Sequence, residues 1–162
     1  MKRLHVHVAV PDLEQSIRFY STLFGEGPVK VRPDYANWML ADPRVNFAIS
    51  QRGSRAPGID HIGVQVDSRA ELDELAGRLK AAGENTFDEE AVHCCYAQGD
   101  KTWVSDPAGV RWETFFTFGE STTYGEGVRL EQGAAGAACC APPAVTKQEA
   151  PKEKANAGGC CG

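Results

Sequence analysis

The 162-residue sequence has no apolar run that approaches the length of a membrane-crossing helix. It also lacks any block of Lys or Arg, and its net charge is -5. Together these argue against a membrane partner and against a broad nucleic-acid footprint. The chain opens directly on a strand-like pattern, without the apolar stretch and cleavage site of a signal peptide, so a cytoplasmic location is expected. Scattered cysteines, the mark of a secreted disulfide framework, are missing too. The six cysteines fall instead as three adjacent pairs: Cys94 with Cys95, Cys139 with Cys140, and Cys160 with Cys161. Neighbouring cysteines rarely bridge each other, because the small ring strains the peptide. In a reducing compartment they stay thiols, and three such pairs suit a soft, thiol-seeking atom.

Apolar periodicity is also missing from the last part of the chain. Residues 119–162 are rich in Gly, Ala and Pro, with a Lys/Glu-rich stretch at 147–154. Such a segment cannot bury enough apolar surface to offset the entropy of ordering it, so a flexible tail is expected. The patterned part, 1–118, is one domain of two similar modules, about 1–52 and 57–118. The first opens with a strand at 4–10. A helix follows to about Leu23, capped by Asp12, with Leu13, Ile17, Tyr20 and Phe24 at helical spacing. Strand-like segments then lie at 29–32, 36–41 and 45–50. The second opens with a strand at 59–66. A helix capped by Asp67 or Ser68 runs to about Ala82, with Leu72, Leu75 and Leu79 on one face. Strand-like segments follow near 86–87, 94–97, 101–105 and 112–118. The pattern strand–helix–three strands thus repeats at a period of about 55 residues, longer than common solenoid repeats.

His5 and His61 occupy matching places on the first strands of the two modules, and Glu113 lies on the last strand of the second. A lone histidine on a strand is more often a hydrogen-bonded core or rim residue than a ligand. The shared placement is what favours a metal. Two imidazoles and one carboxylate leave coordination positions open, a pattern suited to non-heme Fe(II) and O2. Strand alternation puts His5 and His7 on one face, so either could reach the ion. His93, Tyr96 and Lys101 are possible supporting groups.

Three runs carry a resemblance: HVHVAVPDLEQSIRFY at 5–20, DHIGVQV at 60–66 and DPAGVRWE at 106–113. They resemble the vicinal-oxygen-chelate superfamily over residues 1–118. The resemblance implies an α+β fold of paired βαβββ modules, whose mixed sheet curls around a metal held at the positions of His5, His61 and Glu113. A fourth ligand is expected around residues 46–48, where no acidic residue or histidine stands, as in three-ligand dioxygenases. Three further runs, VRPDYANW at 31–38, CCYA at 94–97 and DKTWV at 100–104, resemble the organoarsenical C–As lyases and the similar cadmium-induced proteins. That narrower resemblance implies an Fe(II)- and O2-dependent enzyme in which Cys94 and Cys95 hold a small trivalent organoarsenical. Alternatives are a non-enzymatic cadmium or arsenite binder, or another metalloenzyme of the superfamily such as an extradiol dioxygenase. The four tail cysteines could capture arsenicals, and the chain could be a monomer or a homodimer. On a regular strand Cys94 and Cys95 would face opposite sides. Chelation needs both sulfurs on one side, so an irregular turn is expected there.

Overall fold

The computed structural model describes residues 2–51 and 56–125. The four tail cysteines lie outside the described residues. Among these, no helix is long and apolar enough to cross a membrane.

The first module runs β1 (Arg3–Ala9), α1 (Leu13–Phe24), β2 (Lys30–Arg32), β3 (Tyr35–Leu40) and β4 (Val45–Ser50). The second runs β5 (Gly58–Val66), α2 (Arg69–Ala81), β6 (Phe87–Cys94), β7 (Ala97–Ser105) and β8 (Arg111–Glu120). Each helix starts where a short polar side chain satisfies a free N–H. Asp12 accepts from the Gln15 N–H at 2.8 Å, and Ser68 accepts from the Glu71 N–H at 3.3 Å. Helix α1 lays Leu13, Ile17, Tyr20 and Phe24 over a core of Ala36, Trp38, Phe47 and Ile49. Helix α2 buries Leu72 and Ala76.

Eight strands form one mixed sheet in the order β2-β3-β4-β1-β5-β8-β7-β6. Each module is a four-stranded half, and the halves join where β1 runs antiparallel to β5. There His5 pairs with Gly63, and His7 pairs with His61. Adding 56 to His5 gives His61, and adding 56 to His7 gives Gly63, so the two pairs exchange under a twofold axis through the Val6–Ile62 pair. This internal symmetry brings both first-strand histidines to the middle of the sheet, on its buried face.

Two features differ from the sequence reading. The second half has three strands after α2 rather than four segments, because β6 runs on through Asp88, Glu89 and Glu90. Those charges hide the alternation, but each has a partner. Glu89 accepts from the Trp103 indole at 2.7 Å, Asp88 accepts from Thr102 at 2.8 Å, and Glu90 from Arg69 at 3.2 Å. Residues 94–97 form the end of β6, a turn and the start of β7, not a strand of their own. Strand β8 also continues to Glu120, past residue 118.

Gly63 shows how tightly β5 and β8 of the second module pack beside the site. A Cβ there would lie 2.0 Å from the Glu113 carbonyl oxygen on β8. Gly63→Ala must therefore push β8 away. It is expected to cost about 1–3 kcal/mol, the range for overpacking a close contact, in a urea-unfolding measurement. Because Glu113 moves with its strand, the same change should weaken any divalent-ion binding that uses its carboxylate.

Candidate metal and thiol site

His5, His7, His61 and Glu113 are all buried. The His5 Nδ1 lies 3.0 Å from the Asn46 carbonyl oxygen, and the His61 Nδ1 lies 3.2 Å from Asp60 Oδ2. A carbonyl and a carboxylate only accept, so each Nδ1 carries a proton, and each Nε2 is the ring nitrogen left to ligate a metal. These two Nε2 atoms face each other at 3.2 Å. Glu113 Oε2 completes the triangle, 3.4 Å from the His61 Nε2 and 3.7 Å from the His5 Nε2. Three lone-pair atoms in a buried triangle repel unless a cation sits among them. An ion bound at about 2.1 Å separates neighbouring ligands by about 3.0 Å at right angles and about 3.4 Å at tetrahedral angles, close to the observed edges. The donor set therefore fits a small divalent ion. Asp60 and the Asn46 carbonyl are the groups that orient its imidazoles. Burial, partly offset by Glu113, lowers the His5 pKa to about 4, which keeps the ring neutral and ready to ligate.

His7 belongs to the same cluster. Each of His5, His7 and His61 offers a ligand nitrogen within 4.8 Å of the others. Its Nε2, however, lies 2.9 Å from the Ser50 hydroxyl. The site is also lopsided in an instructive way. Glu113 pairs with Gly63 across β5 and β8, and the matching pair in the first module is His7 with Ala48. Ala48 has no ligating side-chain atom, so the position equivalent to Glu113 adds no ligand to the triangle. Asn46 cannot fill it either: its side chain is taken up by Asn37 and by Gln65, the latter at 2.9 Å.

Cys94 ends β6, and Cys95 and Tyr96 form the turn into β7 with φ of 57° and 60°. This left-handed pair is the irregular turn expected from the need to turn both sulfurs one way. The two Sγ atoms lie 3.2 Å apart. The turn docks on the far edge of the first module. The Tyr96 hydroxyl donates to Asp34 Oδ1 at 2.7 Å, and Lys30 Nζ donates to the Tyr96 carbonyl at 3.1 Å. The Arg32 guanidinium lies 5.5 Å from the Tyr96 ring centre. Tyr96 thus braces the turn. His93 points away on the exposed side of β6.

Lys101 joins the two halves of the site. Its ammonium donates to Glu113 Oε1, and its charge lies near enough to Cys94 to favour a thiolate there. Burial alone would lower its pKa, but Glu113 and the two cysteines hold it above the ordinary lysine range. The same contacts divide the thiols. A hydrogen bond from Cys95, helped by the Lys101 charge, overcomes burial and brings the Cys94 pKa down to about 6. Cys95 is pushed up by that hydrogen bond and by burial. The pair shares one proton near neutral pH, with the negative charge on Cys94. Rapid alkylation of Cys94 by iodoacetamide should therefore switch on as pH rises through about 6.

Trp103 and Phe115 wall the imidazoles, with ring centres 5.2 Å from His61 and 5.1 Å from His5. Neither these nor Tyr35, Ser50, Asp60 and Tyr124 stood out in the sequence. Asp60 had a usable signal, since it directly precedes His61.

Residues 2–114 match the model of the glyoxalase/bleomycin resistance protein/dioxygenase superfamily. The chain belongs to this superfamily. It is 42% identical over 143 residues to a protein of Thermomonospora curvata named trivalent organoarsenical cleaving enzyme, covering 88% of this chain and 90% of that one. A protein of the same name from Bacillus sp. strain MD1 is 39% identical, covering 92% and 96%. The cadmium-induced protein CadI of Mycobacterium tuberculosis is 37% identical, covering 86% and 93%. Among solved structures, a Mn(II)-bound glyoxalase from Novosphingobium aromaticivorans superposes with a TM-score of 0.55 at 23% identity, over 81% of this superfamily member and 44% of the glyoxalase. Homoprotocatechuate 2,3-dioxygenase from Brevibacterium fuscum gives 0.56 at 17% identity, over 75% and 38%. These two show the shared fold.

Proposed function

We propose that the chain is an Fe(II)-dependent dioxygenase that cleaves the carbon–arsenic bond of trivalent organoarsenicals, methylarsenite and trivalent aromatic arsenicals among them, releasing arsenite. Its role would be organoarsenical degradation and resistance. The single observation that carries the reading is the buried Lys101 ammonium, which pairs with Glu113 while its charge favours a thiolate at Cys94, and so ties a metal-ready triangle to a thiol pair. The names of the relatives from Thermomonospora curvata and Bacillus support the substrate class.

In this reading His5, His61 and Glu113 hold the metal. Bound Fe(II) would supply the binding and activation of O2 beside the arsenical. The protein's own part is positioning. The Cys94 thiolate displaces one hydroxyl of methylarsenite as hydroxide. The Cys95 proton leaves with the second hydroxyl as water, so two As–S bonds replace two As–O bonds. Both sulfurs act from one rigid turn, which turns an encounter into a fixed geometry. Lys101 keeps its proton and holds charge on Cys94. The net change, methylarsenite plus O2 giving arsenite plus formaldehyde, balances without an added reductant. Aerobic incubation of iron-loaded protein with methylarsenite tests the reading. Arsenite is expected, with one O2 consumed per arsenite. No arsenite above a protein-free control, with iron shown to be bound, refutes it.

A second reading has one observation in its favour: two sulfurs 3.2 Å apart, one of them a thiolate, would also grip cadmium or inorganic arsenite. Tight cadmium binding with no O2 uptake on any arsenical would select it. The tail cysteines enter as capture groups for arsenicals, since a tethered thiol raises local concentration. A chain ending at Gly125 is then expected to keep its rate at saturating substrate but slow at low substrate. Equal kinetics at both would remove the capture role.

A further inference from the structure

Tyr124 lies beyond the last strand, in a stretch whose composition suggests only a tail. Its backbone returns to the thiol turn, where its carbonyl accepts the Cys95 N–H at 2.6 Å. Its ring packs edge-on against Tyr35 and Tyr96, with centres 5.9 and 5.7 Å away. Gly125 makes this return possible. It has φ of 76°, and a Cβ there would lie 1.6 Å from the His93 carbonyl oxygen. The Tyr124 hydroxyl faces the Cys95 sulfur and Ser50, within reach of exchanging hydrogen bonds with both.

The direction of these bonds matters. A sulfur bound to arsenic has lost its proton and can only accept, so in the loaded site Tyr124 donates its O–H to Cys95. Ser50 can then donate to the Tyr124 oxygen, and its own oxygen accepts from the His7 Nε2–H at 2.9 Å. His7, Ser50 and Tyr124 thus form a run of donors aimed at one sulfur, and successive bonds of this kind strengthen one another. The Proposed function leaves His7 and Ser50 without a task. This run gives them one.

We propose that Tyr124 is a positioning residue for arsenical capture: with Ser50 and His7 behind it, it holds the Cys95 sulfur in place as the second arm of the chelate. The proposal rests on Cys94 and Cys95 being the arsenical site. It places the functional end of the domain at Gly125 rather than near residue 118. It also separates the thiols by role, with Lys101 serving Cys94 and Tyr124 serving Cys95.

The test uses the full chain with Cys139→Ser, Cys140→Ser, Cys160→Ser and Cys161→Ser as parent, under argon so that no turnover occurs. The probe is phenylarsine oxide. Its release into excess competing dithiol is timed by intact-protein mass spectrometry. Tyr124→Phe keeps the ring and the carbonyl and removes only the hydroxyl. It is expected to speed release about five- to tenfold, the size expected for a lost hydrogen bond between uncharged groups, with an unchanged melting temperature. Ser50→Ala should act in the same direction but less. In a Cys95→Ser background, where arsenic hangs on Cys94 alone, Tyr124→Phe should change nothing. Release from Tyr124→Phe at the parent rate overturns the proposal. So does an equal acceleration in the Cys95→Ser background, which would mark a general structural role. If the parent itself retains no phenylarsine oxide, the arsenical-site reading fails with it, and that outcome is distinct from the other two.

Discussion

Cys94→Ser is expected to reduce arsenite release from methylarsenite by at least about a hundredfold while leaving the bound metal in place. The size follows from what the second arm supplies: losing one of two fixed arms returns the arsenical to an ordinary encounter, and well-oriented groups gain far more than a hundredfold from being held together. Metal content should not change, because no metal-triangle atom belongs to Cys94. The neighbouring position divides the causes further. Cys95→Ser removes an arm but keeps a hydroxyl that can hydrogen-bond Cys94, so Cys94 alkylation should still switch on near pH 6. Cys95→Ala removes the donor as well, and the Cys94 pKa should rise from about 6 toward the ordinary thiol range. Alkylation rates against pH read both. Full turnover in Cys94→Ser on a non-arsenical substrate would instead favour another superfamily chemistry.

Glu113→Gln is the second large effect, and it has two parts. It removes the anionic corner of the metal triangle, so affinity for the divalent ion should fall at least about a hundredfold in a competition titration with a chelator. It also leaves Lys101 buried without its carboxylate. Removing one partner of a buried pair costs about 3–5 kcal/mol, so the melting temperature should drop markedly in metal-free protein. Lys101→Met removes the other charge. The double variant Glu113→Gln, Lys101→Met is expected to regain much of the lost stability but none of the metal affinity. Equal recovery of both would mean that Glu113 is structural only. Asp60→Asn should lower metal affinity about ten- to a hundredfold by disturbing the orientation of His61, and should cost less stability than Glu113→Gln, because the Arg111 guanidinium it also pairs with, at 2.7 Å, is part-exposed.

How much of this was legible in the sequence varies by kind of information. The paired modules were, because each helix carries its own cap and each first strand its own alternation, and these are local signals. His5 and His61 stood out because a repeat turns two ordinary histidines into a symmetric pair. The choice between His5 and His7 could not be read. Both lie on one face of β1, and what separates them is the partner of each ring: a main-chain carbonyl of Asn46 for one and the Ser50 hydroxyl for the other. Backbone partners leave no mark on residue type. Strand β6 was obscured by Asp88, Glu89 and Glu90, whose partners Thr102, Trp103 and Arg69 come from elsewhere in the chain. The turn at Cys95 and Tyr96 could be argued from chemistry, since chelation requires it. Its docking on Asp34 and Lys30 could not, because only the curl of the whole sheet brings the β6–β7 hairpin to the edge of the first module. Tyr124 was hidden for a different reason: its neighbours have the composition of a tail, and one well-placed ring carries no periodicity.

The pseudo-twofold axis also makes visible how unequally the two halves of the site are furnished. The same geometry places Glu113 and Ala48 at equivalent points, and only the first bears a ligand. The second module further supplies Lys101 and both cysteines. The first module contributes His5, together with the edge that braces the thiol turn. A symmetric scaffold thus carries its polar groups asymmetrically, with the His5–His61–Glu113 triangle at the joint and the thiols to one side of it.

The most direct measurement of the central claim is a crystal structure of the full chain, loaded with Fe(II) and phenylarsine oxide without oxygen, with anomalous scattering collected at the iron and arsenic edges. Iron is expected among His5, His61 and Glu113, and arsenic on both Cys94 and Cys95, in one cleft with Lys101 between Glu113 and Cys94. Iron bound away from Glu113, or arsenic bound away from the Cys94–Cys95 turn, would contradict it.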